Sequence, residues 1–100
     1  MKFVIKNTKD NITNLTRKIG YFFIGQDEKT SESSFIRPLG RSGYPRFHLY
    51  LKEDKENNEL IFNLHLDQKR PIYKGTPAHS GEYEGKVVEN EAERIKQILK

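Results

Sequence analysis

The sequence predicts an α+β fold: an antiparallel sheet of about five strands with two helices on one face, in the order β-α-β-β-β-β-α. Three observations carry this. Two apolar alternations, "RFHLYLK" and "ELIFNLHLD", flank the charged connector "EDKENN", the pattern of a β-hairpin. Two segments near opposite ends of the chain repeat apolar residues at helical spacing. The remaining strand-like segments follow one another through connections too short for a parallel crossover, so their pairing is antiparallel.

The elements follow in order. "KFVIK" (Lys2 to Lys6) reads as a short strand with Phe3 and Ile5 on one face and Val4 on the other. In "NITNLTRKIG", Asn11 suits a helix N-cap and Ile12, Leu15 and Ile19 share a stripe. Arg17 and Lys18 complement the negative end of the helix, and Gly20 stops it. "YFFIG" (Tyr21 to Gly25) is aromatic enough to favour a pleated surface. "SFIRPL" (Ser34 to Leu39) is a strand whose end is marked by Pro38, and "GRSGYP" is a loop. The hairpin follows. "QKRPIYKGTPAHSGEYEG" (Gln68 to Gly85) reads as a long loop. "KVVENEAERIKQILK" is an amphipathic helix with Val88, Ala92, Ile95 and Leu99 as its stripe, supported by Ile98. Its glutamates, Glu89, Glu91 and Glu93, lie toward its N-terminus.

A chain of 100 residues is expected to form one domain, residues 1–100. With 34% hydrophobic residues and a mean hydropathy of −0.85, its core is thin, one helix layer on one sheet layer. The absence of cysteine excludes disulfides, thiolate metal ligands and cysteine nucleophiles, and suits a reducing compartment. No signal-peptide segment opens the sequence, and no apolar run approaches the roughly 20 residues of a membrane span. A cytoplasmic protein without a membrane partner is the expectation.

The net charge is +4, concentrated in the first half of the chain. From Ser33 to Lys52 there are Arg37, Arg41, Arg46 and Lys52 and no acidic residue. A basic region of this kind points to a polyanion. Alternation assigns Phe47, Leu49, Leu51, Leu60, Phe62, Leu64 and Leu66 to the helix-covered face. Arg46, His48, Tyr50 and Lys52, with Ile61, Asn63, His65 and Asp67, then fall on the uncovered face. A turn centred near Lys55 and Glu56 sets Tyr50 opposite Ile61, His48 opposite Asn63 and Arg46 opposite His65. Phe22, Ile24 and Ile36 extend the same face. Lys69, Arg70 and Lys74 join Arg41 and Arg46 near one end of the hairpin, a cluster suited to phosphates.

Three enzyme-like patterns are weaker. His48, His65 and His79 supply the three ligands a catalytic zinc needs, but no local spacing motif supports them. Asp67, Gln68 and Lys69 resemble the acid-x-Lys half of a nuclease metal site without a second acid. His79 and Ser80 are adjacent on a loop and lack the G-x-S-x-G turn of a nucleophile. No metal, cofactor or catalytic residue is therefore assigned.

The stretches "SFIRPLGRSGYPRFHLYLK", "FNLHLDQKRPIYKGTPAHSGEY" and "VVENEAERIK" resemble a family of small proteins common in bacteria of the candidate phyla radiation, over about Lys18 to Lys96. The resemblance implies a stand-alone cytosolic protein and carries no catalytic residues with it. The order β-α-β4-α is also similar to one repeat of the TATA-box-binding fold. That likeness implies an apolar, Asn-bearing sheet face pressed into a DNA minor groove. Tyr50, Ile61, Asn63 and Phe22 are the corresponding kinds of residue, and a homodimer would rebuild a two-repeat saddle. This chain departs from that pattern in holding one repeat and in placing two histidines on the face.

These readings converge on a non-enzymatic protein that binds nucleic acid, duplex DNA foremost, without strong sequence specificity. Arg37, Arg41, Arg46, Lys69, Arg70 and Lys74 are expected on phosphates, and His48, Tyr50, Asn63 and His65 against the groove. The alternatives are a metal-dependent nuclease using Asp67, Lys69 and the histidines, and a protein-interaction adaptor.

Overall fold

The structure, a computed structural model, describes residues 1–6, 10–68, 81–82 and 85–100. The elements are β1 (Lys2–Lys6), α1 (Ile12–Lys18), β2 (Phe22–Gln26), β3 (Ser33–Pro38), β4 (Arg46–Asp54), β5 (Glu59–Asp67), β6 (Gly81–Glu82) and α2 (Lys86–Leu99). The fold class is the predicted one. All pairings are antiparallel, and the main sheet runs in the order β1-β5-β4-β3-β2. One correction concerns the Gln68–Gly85 stretch, read as loop throughout. Gly81 and Glu82 form β6, which pairs with Asp67 and Leu66 at the end of β5. Two residues carry no alternation to read, so this strand has no signature in the sequence. Lys69, Arg70, Lys74, His79 and Ser80 lie outside the described residues.

Local chemistry sets the ends of the elements. The Asn11 side chain accepts a hydrogen bond from the Asn14 amide at 2.9 Å, occupying one of the orphan donors at the start of α1. Gly20 sits at φ +85° directly after the C-cap Ile19, a conformation that costs a side-chain-bearing residue energy. In the loop between β3 and β4, a Cβ on Gly40 would stand 2.4 Å from the Tyr44 carbonyl oxygen, so only glycine lets the loop close.

The hairpin register differs from the expected one by two residues. Asp54 pairs with Glu59, and the four residues between them form the turn. The Asp54 carboxylate accepts from the Asn57 amide at 3.2 Å and from its side chain at 2.8 Å, and Asn58 takes the left-handed conformation at φ 54°. These contacts move the turn centre one position toward the C-terminus. Each partner across the hairpin consequently shifts by two: Arg46 faces Asp67, His48 faces His65, and Tyr50 faces Asn63.

Among the described residues the core is one cluster between the sheet and the helices. Phe35, Phe47, Leu49, Leu51, Leu60, Phe62, Leu64 and Leu66 meet Leu15 and Ile19 of the α1 region and Val88, Ala92, Ile95 and Leu99 of α2. Phe3 stacks on Phe62 with ring centroids 5.0 Å apart. Helix α2 lies on β5 and β1 and touches α1. Ile98, expected to support the stripe, is 40% exposed. No helix among the described residues is long and apolar enough to cross a membrane.

Candidate functional site

The hairpin registers polar side chains across two strands on the face opposite the helices. Arg46, His48 and Tyr50 alternate along β4, and Asn63, His65 and Asp67 alternate along β5, so the six stand as three facing pairs. Asp67 is the hub. Its Oδ2 accepts from Arg46 Nε at 3.0 Å and lies 3.3 Å from His48 Nδ1. Its Oδ1 lies 2.8 Å from His65 Nε2. The rings stack above this: His48 on Tyr50 at 4.5 Å, His48 against His65 at 4.8 Å, and Tyr50 over His65 at 5.7 Å. Arg46 also carries its guanidinium over the Tyr44 ring, at 4.7 Å.

This half of the face is not open. His48 is 8% exposed, His65 1% and Asp67 0%. The two histidines therefore correct the expectation that they line an accessible groove. Alternation assigned their facing correctly, but it carries no information about what stacks on a face, and here the imidazoles lie against each other and against Tyr50. Arg46 is held in the ion pair with its side chain 21% exposed. Tyr50 and Asn63 are half-buried at the border of the cluster.

The accessible half lies beyond them. Lys2 pairs with Asn63, Val4 with Ile61, and Lys52 with Ile61 from the other side. Lys2, Lys6 and Lys52 are exposed, and Val4 is 49% exposed. At the far edge Phe22 pairs with Ile36, which pairs with His48, so Phe22 belongs to the same face and is 66% exposed. Lys2 and Lys6 were missed as candidates, although alternation in "KFVIK" sets both opposite to Phe3.

Arg37 requires a second correction. It pairs with Phe47 and so stands on the helix-covered face, where its Nη1 donates to Glu91 Oε1 at 3.3 Å. Glu91, 4% exposed, also accepts from Tyr21 Oη at 2.6 Å and from Arg94 Nε at 2.8 Å and Nη2 at 3.0 Å. Arg94 Nη2 reaches the Ile19 carbonyl as well. This buried network is not among the sequence expectations, which place Glu91 only among the acids toward the helix N-terminus. The signal was present: Glu91 lies three residues after Val88 and four before Ile95, on the buried stripe. Burial, then the hydrogen bond to Glu91, pushes the Tyr21 hydroxyl far above its ordinary value. The Glu91 carboxylate holds the Arg94 guanidinium more firmly protonated.

Arg41 is exposed in the loop between β3 and β4. Of the ten predicted binding residues, Arg46, His48, Tyr50, Asn63 and His65 are brought together, and Arg37 is carried to the other face. A groove of about 720 Å³ lies on the helix side, lined by Ile12, Thr16, Tyr21, Phe23 and Phe35 among others, and contains none of the ten.

Comparison of the chain with known protein families, curated proteins and solved structures finds no match.

Proposed function

We propose that the protein binds nucleic acid through the accessible half of the uncovered sheet face, without strong sequence specificity and with duplex DNA as the favoured form. One observation carries the reading. Exposed cations at Lys2, Lys6 and Lys52 share a sheet face with Tyr50, Asn63 and the exposed ring of Phe22. Cations neutralise phosphates, while aromatic and amide groups meet sugars and bases and tolerate many sequences. Arg41 adds an exposed cation beyond the strands. Lys69, Arg70 and Lys74 remain phosphate candidates from the sequence. The β-α-β4-α order read from the sequence is similar to one repeat of the TATA-box-binding fold, and a homodimer belongs to the same proposal. Fold likeness alone is a weak warrant for function, so the reading rests on the face and its chemistry.

Fluorescence anisotropy with a labelled duplex of 20–30 base pairs, the matching single strand and an RNA tests this. Binding is expected at about 50 mM salt, and about three or four phosphate contacts give a log K against log salt slope near −3. Lys2→Glu with Lys52→Glu is expected to weaken binding by at least about 10-fold and to flatten the slope. No binding at about 50 mM salt sinks the reading, and a flat salt response sinks the phosphate mechanism. Tighter binding of the single strand reassigns the ligand. The proposal includes no chemical step, so plasmid incubated with protein and magnesium or manganese stays intact. Cleavage would replace it with the nuclease alternative.

A further inference from the structure

We propose that His48, His65 and Asp67 form a binding site for one first-row divalent transition-metal ion of the zinc class. Each residue offers one ligand atom, and the three atoms lie within 4.8 Å of one another. It is the one such grouping of histidine and carboxylate side chains among the described residues. One ligand separation is already near those around a bound ion, and the second imidazole lies against the other oxygen of the same carboxylate. His65 Nε2 is 2.8 Å from Asp67 Oδ1, and His48 Nδ1 is 3.3 Å from Oδ2. Ligands at about 2.0–2.2 Å from a metal stand roughly 3 Å apart along the edges of a tetrahedron or octahedron. The three atoms lie within 4.8 Å of one another rather than roughly 3 Å, so seating an ion requires side-chain rotations that draw them together.

The backbone makes the grouping rigid. His48 and His65 are directly paired across β4 and β5, and Asp67 is two residues from His65 on the same face. All three are buried on the two central strands, with Asp67 the last residue of β5, and burial helps a donor set hold its geometry. Two imidazole nitrogens and one carboxylate select zinc, cobalt, nickel, iron or manganese over magnesium and calcium, which prefer oxygen throughout. Arg46 completes the arrangement as a positioning residue: its bond to Asp67 Oδ2 fixes the carboxylate plane and leaves Oδ1 turned to His65. The inference does not depend on nucleic-acid binding. It also differs from the three-histidine set considered from the sequence, since the register brings Asp67 to the two hairpin histidines.

The test uses the full chain, stripped with EDTA and dialysed. Titration with cobalt(II), followed by visible absorption, and with zinc(II), followed by calorimetry, is expected to give saturation at one ion per chain. Magnesium under the same conditions gives at least about 100-fold weaker binding. His48→Gln and His65→Gln are each expected to lose at least about 10-fold in affinity. Circular dichroism checks that the variants fold. Should they not, the imidazole nitrogen resonances of His48 and His65 in the wild-type chain decide, and both are expected to shift on adding zinc. Absence of binding at 1 mM ion overturns the site. So does binding that survives both substitutions in folded variants, or zinc binding that leaves both imidazoles unmoved.

Discussion

Asp67 and Glu91 are carboxylates buried on opposite faces of one sheet, and each is held by partners distant in sequence. A buried ion pair is weak evidence of net stabilisation, but removing one partner strands the other charge. Asp67→Ala leaves Arg46 without its carboxylate beside two imidazoles, and urea unfolding is expected to register a loss of about 3 kcal/mol. Tyr21 makes a finer case. Tyr21→Phe removes one charge-assisted hydrogen bond while Glu91 keeps both arginines, so the expected loss at neutral pH is about 1.5 kcal/mol. The pH dependence has a definite sign. The Tyr21 hydroxyl is held far above its ordinary value of 10.0 in the folded chain. Above that value the unfolded chain releases the proton and the folded chain retains it. The contribution of Tyr21 is therefore complete below pH 10 and declines above it, by up to about 1.4 kcal/mol per pH unit. Unfolding free energies from pH 8 to 11 are expected to bring the wild type and Tyr21→Phe together as pH rises. A constant gap across that range would refute the assignment.

Helix α2 and the hairpin differ in how much of their role the sequence discloses. The α2 stripe was legible because a helix repeats its buried positions every three to four residues, and Val88, Ala92, Ile95 and Leu99 are all buried. The contrast with Ile98 yields a prediction. Ile95→Ala, at 0% exposure, is expected to cost about 3 kcal/mol, whereas Ile98→Ala, at 40%, costs under about 1 kcal/mol. Paired urea midpoints measure both, and equal losses would mean that α2 is rotated from this placement. The hairpin strands were equally legible, and so was the face to which each residue belongs, because alternation has a period of two. What alternation leaves open is the offset between strands. That offset was set by Asp54 at the end of β4 and Asn57 inside the turn, whose bonding is local and specific. The offset then decided the chemistry, since it is the reason His48 meets His65 and Arg46 meets Asp67. Arg37 was misassigned for a different reason. A basic run in sequence says nothing of facing, and Arg37 is one residue out of phase with Ile36 on the same strand.

Across the whole molecule the sheet is graded from centre to edge. Strands β4 and β5 pair on both sides and carry Leu49, Leu51, Leu60 and Leu64, each at 2% exposure or less. Among the described residues strand β2 is at the edge, pairs with β3 alone, and changes register between Phe23 and Gly25. Its side chains are already in solvent, with Phe22 at 66%, Phe23 at 61% and Ile24 at 48% exposed. Detaching β2 therefore uncovers chiefly Phe35, on which Phe23 packs, and leaves the rest of the core covered, and the irregular register works against the straight edge that would recruit another strand. Opening β4, in contrast, splits the sheet and uncovers the core, so it amounts to unfolding the chain. Local opening free energies should differ accordingly. Hydrogen exchange measured in increasing urea is expected to find the Leu49 amide exchanging only through global unfolding, with a steep urea dependence. The hydrogen-bonded amides of β2 are expected to exchange at least about 100-fold faster, with almost no urea dependence, as small openings do. A nucleic acid bound across the face through Phe22 would slow β2 directly, and would slow Leu49 only by as much as binding raises the global unfolding free energy. A metal ion at His48, His65 and Asp67 would instead raise the protection of β4 and β5 with little effect on β2. The two proposals thus differ at β2, which a bound nucleic acid slows and a bound metal ion does not, and direct slowing of the β2 amides by the metal ion would contradict the graded sheet.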